Sequence, residues 1–161
     1  MDIRALIREE LRRFLIEETN ISIDDIINSD EFKNWFGDSE MIIGEQPILF
    51  YHGSHSEFDT FDKLKFGTAT DAGWLGEGFY FYTDIHEASQ YGKVSSYFLN
   101  IENPYYATNE DNERLAELND VDASREFTEN LKTEGYDGVY YNGNLRGETV
   151  VFEPGQIWKI K

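Results

Sequence analysis

The sequence predicts an α+β fold: short strands interrupted by helices, with a helical segment in front. Three observations lead there. Ile3, Ile7, Leu11, Phe14 and Leu15 recur at steps of four, four, three and one, which places them on one face of a helix. From Ile48 onward the apolar and aromatic residues come instead in short runs bounded by Gly, Pro and Asn, as strands do. Between those runs lies a polar stretch, Asn109 to Gly135, that reads as helical. Strands and helices in irregular succession argue for α+β rather than a doubly wound parallel sheet.

Taken in order, the first helix carries acids and arginines on its outer face; it either packs on the domain or binds a partner. Glu18-Thr19-Asn20 breaks it. Ser22 is placed to cap a short helix through Ile26 and Ile27, and Ser29 to cap another that carries Phe32, Trp35 and Phe36 and stops at Gly37. Residues 1–40 are therefore read as an N-terminal helical segment and 41–161 as the main domain. Strands are expected at Ile48–Tyr51, Phe79–Tyr82, Val94–Ile101 (ended by Asn103-Pro104), Val139–Tyr141, Thr149–Phe152 and Ile157–Ile160. Ile85–Tyr91 suits a short helix, and Leu115, Leu118, Phe127 and Leu131 are the buried anchors of the polar helical stretch.

With 161 residues the chain is long enough for one domain with its own core. It has no cysteine, which removes disulfide and thiolate chemistry and fits a reducing compartment. The formal charge is −18, from 32 acidic and 14 basic residues. So acidic a surface disfavours broad binding to phosphate backbones and leaves room for a small basic pocket or for mimicry of DNA. No stretch is apolar enough to span a membrane, and Met1 to Glu18 has no uninterrupted apolar run of the kind a secretory leader needs. A soluble, cytoplasmic protein is expected.

Three clusters could carry chemistry: Tyr51-His52-Gly53-Ser54 at a strand end, Gly76-Glu77-Gly78-Phe79-Tyr80-Phe81 running on to Ala88 and Tyr91-Gly92, and Gly147-Glu148-Thr149-Val150-Val151-Phe152 opening a late strand. Each alone has an ordinary explanation in turns and core packing. Together they resemble the catalytic domain of ADP-ribosyltransferases of the diphtheria-toxin and poly(ADP-ribose)-polymerase type, known for a His–Tyr–Glu triad spread over three strands. His52-Gly53-Ser54 matches the first motif and Gly76 through Phe81 the second, with a further tyrosine, Tyr91, eleven residues after Tyr80. Glu148, the apolar run after it and Gln156 match the third. The likeness covers about residues 47 to 161. The segment Phe32 through His52, with its Trp35-Phe36-Gly37-Asp38-Ser39 stretch, also resembles the transferase domains of phage and mobile-element polyvalent proteins.

The resemblance implies a split, mixed and antiparallel sheet core with flanking helices, and NAD+ as substrate with no metal. It makes His52, Tyr80 and Glu148 the catalytic residues and His52, Gly53, Ser54, Tyr80 and Tyr91 the NAD+-binding ones; Lys93 joins the NAD+-binding set on its positive charge. Cleaving the nicotinamide–ribose bond passes through an oxocarbenium-like state, which a carboxylate stabilises. By resemblance Glu148 does this while holding the ribose 2′-hydroxyl. Tyr80 and Tyr91 would sandwich the flat, cationic nicotinamide, the Gly53 backbone would bind its amide, and His52 the adenosine-side ribose. Lys63, Lys65 and Lys93 are candidates for the pyrophosphate, and the segment between His52 and Gly76, with Gly67, Gly73 and Trp74, could cover the cofactor. Arg146 stands two before Glu148, where arginine-modifying relatives carry an acid, so arginine is not implied as acceptor.

The resulting expectation is mono-ADP-ribosyl transfer to a protein acceptor, one with a basic surface by charge complementarity, or to a nucleic acid, inside a bacterial host cell or as a phage-delivered effector. Three other readings stand beside it. The chain could release ADP-ribose to water as an NAD+ glycohydrolase. It could be a non-enzymatic acidic inhibitor or DNA mimic. A metal site could be drawn from His52, His55 and His86 with Asp59 or Asp84, although His-x-x-His here falls at a strand-to-loop junction rather than on a helix.

Overall fold

The computed structural model describes residues 22–56, 60–65, 73–143 and 147–161. The helix expected over Ile3–Leu15, and also Asp59, Gly67 and Arg146, lie outside them. The chain divides into two compact units, one running to Gly37 and including Lys161, the other Asp38–Ile160.

In the first unit, α1 (Ile23–Asn28) and α2 (Asp30–Phe36) start where the serines predict. Ser22 Oγ accepts from Asp24 N and Ser29 Oγ from Phe32 N, both at 3.2 Å, so each cap satisfies an amide the helix cannot. Gly37, at φ 50, ends α2. Phe32 stacks on Phe36 at 5.3 Å.

The second unit begins with a hairpin, β1 (Ile42–Ile43) and β2 (Gln46–Pro47), followed by β3 (Phe50–Ser54) and a 3-10 turn at Lys63–Lys65. Next come β4 (Phe79–Phe81), α3 (Ile85–Ser89), β5 (Lys93–Leu99) and β6 (Pro104–Tyr106). Two helices, α4 (Asn109–Leu118) and α5 (Val121–Thr133), lead to β7 (Gly138–Tyr141), β8 (Glu148–Val151), a 3-10 turn at Pro154–Gln156 and β9 (Ile157–Lys159). The polar stretch 109–135 is thus two helices. Asn119 sits between them in the left-handed region, at φ 41, and Asp120 caps α5.

The strands form a split core. One sheet has the order β3-β5-β9, antiparallel throughout; the other has the order β4-β8-β7-β6, with only β6 and β7 parallel. The two meet at one bridge, where Tyr51 and Tyr82 exchange backbone hydrogen bonds of 2.7 and 2.9 Å. Alternation along β4 and β8 then sorts side chains to two faces. Phe79, Phe81 and Val151 join Phe50, Tyr97 and Leu99 in a core shared by both sheets. Val150, Val139, Tyr141 and Phe152 form a second core with Leu131 of α5, and Tyr80 and Phe127 pack at its edge. Gln156 ties the ends of three strands together. Its Oε1 accepts from Phe152 N and Glu153 N, and its Nε2 donates to Asn100 O and Asp137 O. Among the described residues no helix is long and apolar enough to cross a membrane.

Candidate active site

β3 delivers the first cluster. Pairing with β5 sets His52 opposite Ser95, Gly53 opposite Val94 and Ser54 opposite Lys93. The His52 ring lies 5.1 Å from Phe61 and 5.5 Å from Phe81, and its Nδ1 is 2.7 Å from Tyr80 O. A carbonyl only accepts, so Nδ1 carries the proton and donates, which leaves Nε2 as the acceptor of the neutral ring. Burial lowers the His52 pKa below its ordinary value; the bond to Tyr80 opposes this more weakly. A neutral imidazole suits a residue that accepts from a hydroxyl. Ser54 Oγ accepts from Ser56 N, closing a local turn, and Lys93 is exposed at the end of the same strand pair.

Gly53 is a glycine for reasons of space. A Cβ there would stand 1.9 Å from Ala88 O and 3.3 Å from the Tyr91 Cβ, so α3 and the Tyr91 turn lie directly on the β3 backbone. Asp84 starts α3 by accepting from His86 N, which gives both residues a structural role. Gly92, at φ 120, turns the chain from Tyr91 into β5.

The second and third clusters share one face of the β4–β8 pair. Tyr80 lies opposite Val150 and Phe81 opposite Thr149, where the ladder ends; Tyr82 and Glu148 are the next residues on the two strands. Glu148 is half-buried, pairs with Tyr141 of β7, and follows Gly147, whose φ of 57 turns the chain into the strand. The Tyr80 hydroxyl accepts from Leu75 N at 3.0 Å and donates to Gly76 O at 2.6 Å. That turn is itself held on α4 and α5: Ser124 Oγ donates to Gly73 O, Thr128 Oγ1 to Glu77 O, and Trp74 Nε1 to Asn119 Oδ1.

The ring stacked on Tyr91 is that of Tyr82, with centroids 5.8 Å apart and planes within 9°. Burial, then the nearby Glu148 charge, then a hydrogen bond with Tyr91 push the Tyr82 phenol far above its ordinary range, so it stays protonated. The fold therefore gathers Gly53, Tyr82, Tyr91 and Glu148, with Tyr80 one step along the same face and its backbone bonded to His52. Lys63 is engaged elsewhere, in an ion pair with Glu153, and the Lys65 side chain lies outside the described part. Sequence reading passed over Tyr82. The available signal was period-two alternation: a residue two after Tyr80 on the same strand must share its face.

The split pair of small mixed and antiparallel sheets with flanking helices is consistent with an ADP-ribosyltransferase-like fold. The model of the family "ADP-ribosyltransferase in polyvalent proteins" matches residues 44–161, and the chain belongs to that family. Among solved structures, one described as the crystal structure of an anti-CRISPR protein is similar at 16% identity and a TM-score of 0.41, over 70% of this chain and 94% of that one. No protein of curated function matches significantly.

Proposed function

We propose that the protein is an NAD+-dependent mono-ADP-ribosyltransferase of the His–Tyr–Glu type. The observation that carries this is the placement of Glu148 at the mouth of β8, on the face that presents Tyr80 and Tyr82, with Tyr91 and the Gly53 backbone alongside. Nicotinamide would stack on aromatic faces there and hydrogen-bond through its amide to Gly53. The bond from ribose C1′ to the pyridinium nitrogen breaks, and its electron pair leaves with neutral nicotinamide. Glu148 stabilises the positive charge that grows on the ribose. The acceptor's nucleophilic atom then bonds to C1′, and its proton passes to Glu148 or to solvent.

His52, with Nδ1 committed to Tyr80 O, would receive an adenosine-side ribose hydroxyl on Nε2. Ser54 and Lys93 lie at the same strand end and are proposed to complete NAD+ binding. The −18 charge favours a protein acceptor with a basic surface.

The test is incubation with labelled NAD+ and a bacterial lysate beside Glu148→Gln, which removes charge but little shape. Label on a discrete band, lost in the variant while NAD+ still binds, is the expected result; a turnover loss of about a hundredfold or more fits removal of one stabilising group. Nicotinamide release without a labelled band would make the protein a glycohydrolase. No release and no NAD+ binding would leave the acidic binding protein.

A further inference from the structure

We infer that Tyr82 is a positioning residue of the proposed reaction: its buried ring backs Tyr91 and flanks Glu148, setting the plane on which nicotinamide stacks beside the carboxylate. The inference rests on the transferase reading of this site and adds a residue that none of the three sequence motifs requires.

Four observations carry it. First, Tyr82 is the point where the two sheets are joined, bonded through both backbone groups to Tyr51. Its Cα is therefore fixed relative to the Gly53 strand and the Glu148 strand at once. Second, Tyr82 is 6% exposed, whereas Tyr91 is only partly buried, so the pair has a buried member and a more presented member. Third, Tyr82 and Glu148 are the next residues on β4 and β8 beyond the last pair of the ladder, Phe81 with Thr149, and the Glu148 charge is felt at the Tyr82 hydroxyl. Fourth, the ring centroids are only 5.8 Å apart. A flat ring intercalated between them would need two contact gaps of about 3.5 Å each. Nicotinamide therefore takes the outer face of Tyr91, and the layers run Tyr82, Tyr91, nicotinamide.

Tyr80 is differently committed. Its hydroxyl accepts from Leu75 N and donates to Gly76 O, and its ring borders the helix-side core. It shapes the floor of the site, and the stacking geometry of Tyr91 is set by Tyr82.

The experiment uses the full chain with Tyr82→Phe, Tyr82→Leu, Tyr91→Ala and the Tyr82→Leu/Tyr91→Ala pair. Nicotinamide release by the unaltered chain is measured first, then inhibition by nicotinamide and, separately, by ADP-ribose. In Tyr82→Leu the nicotinamide inhibition constant should rise about tenfold, with ADP-ribose inhibition within twofold. Tyr82→Phe, which keeps the stack, should stay within threefold for both. The double variant should be no worse for nicotinamide than Tyr91→Ala alone, because Tyr82 acts through Tyr91. Tighter nicotinamide binding in Tyr82→Leu would make Tyr82 a plug in the slot and overturn the inference. So would equal weakening of both ligands, or additive losses in the double variant. Should Tyr82→Leu not fold, a Tyr82→Phe chain with nicotinamide inhibition weakened tenfold or more would refute the stacking role. If the unaltered chain neither releases nicotinamide nor is bound by it, the transferase reading falls and this inference with it; release by the unaltered chain with unchanged constants in Tyr82→Leu removes the inference alone.

Discussion

Gly53→Ala adds one carbon where there is no room for it. The new Cβ would lie 1.9 Å from Ala88 O and 2.9 Å from Ala88 C, both backbone atoms of α3, and 3.3 Å from the Tyr91 Cβ. No rotamer change relieves a clash with a carbonyl. Either α3 lifts from β3 by more than an ångström or β3 bends away from β5. Overpacking of this kind costs roughly 1–3 kcal/mol, and contact with immovable backbone places Gly53→Ala at the upper end. With a urea dependence of about 2 kcal/mol per molar, the unfolding midpoint should fall by about 1 M or somewhat more. Gly155→Ala is the control. Nothing lies within 4 Å of the Cβ it would add, so it should stay within about 0.5 kcal/mol of the unaltered chain. Because Tyr91 follows α3 directly, Gly53→Ala should also weaken nicotinamide binding in protein that remains folded. A Gly53→Ala midpoint indistinguishable from that of Gly155→Ala would refute the close approach of α3 to β3, and the reading of Gly53 as a nicotinamide contact would lose its physical basis.

Tyr80→Phe removes the acceptor of Leu75 N, an amide in a residue with 0% exposure, and the donor to Gly76 O; it should cost about 1–3 kcal/mol, read by urea unfolding, and an unchanged midpoint would show that the turn finds other partners. For His52 the sign follows from burial. Its folded pKa lies below the 6.5 of the unfolded side chain, so the unfolded chain takes up the proton first on acidification. The stability it supports is complete above pH 6.5 and is lost as pH falls through the lowered folded value. Urea midpoints of the unaltered chain should therefore drop more steeply below pH 6.5 than those of His52→Gln; parallel curves would mean that the His52 ring is solvated. An NMR titration should place the His52 ring below 6.5 directly.

Much of the fold was legible because its determinants are local. Ser22 and Ser29 start their helices by capping, which needs only two or three neighbouring residues. Phe79–Tyr82 and Val139–Tyr141 read as strands from aromatic and β-branched content alone, and strands stand there at Phe79–Phe81 and Gly138–Tyr141. The misses are of another kind. β6 begins at Pro104, which the sequence marks as the end of a strand. A proline can open a strand, and what makes this segment one is parallel pairing with β7, whose Gly138 lies 34 positions beyond Pro104. The single helical stretch 109–135 is two helices because Asn119 takes a left-handed turn and accepts a hydrogen bond from Trp74, a residue 45 positions away.

The same division runs through the site. The sequence motifs, through their resemblance to the ADP-ribosyltransferases, picked out His52, Gly53, Tyr80, Tyr91 and Glu148, since a strand end, a turn glycine and a strand-opening acid are properties of a few consecutive residues. Tertiary structure decided which ring stacks on Tyr91, where the Tyr80 hydroxyl goes, and why Gly53 has no side chain. Those outcomes depend on how closely α3 approaches β3 and on the one bridge between Tyr51 and Tyr82 that sets the two sheets against each other. Period-two alternation tells which side of a strand a residue faces, but the distance to whatever lies opposite is fixed only when segments far apart in sequence close on one another.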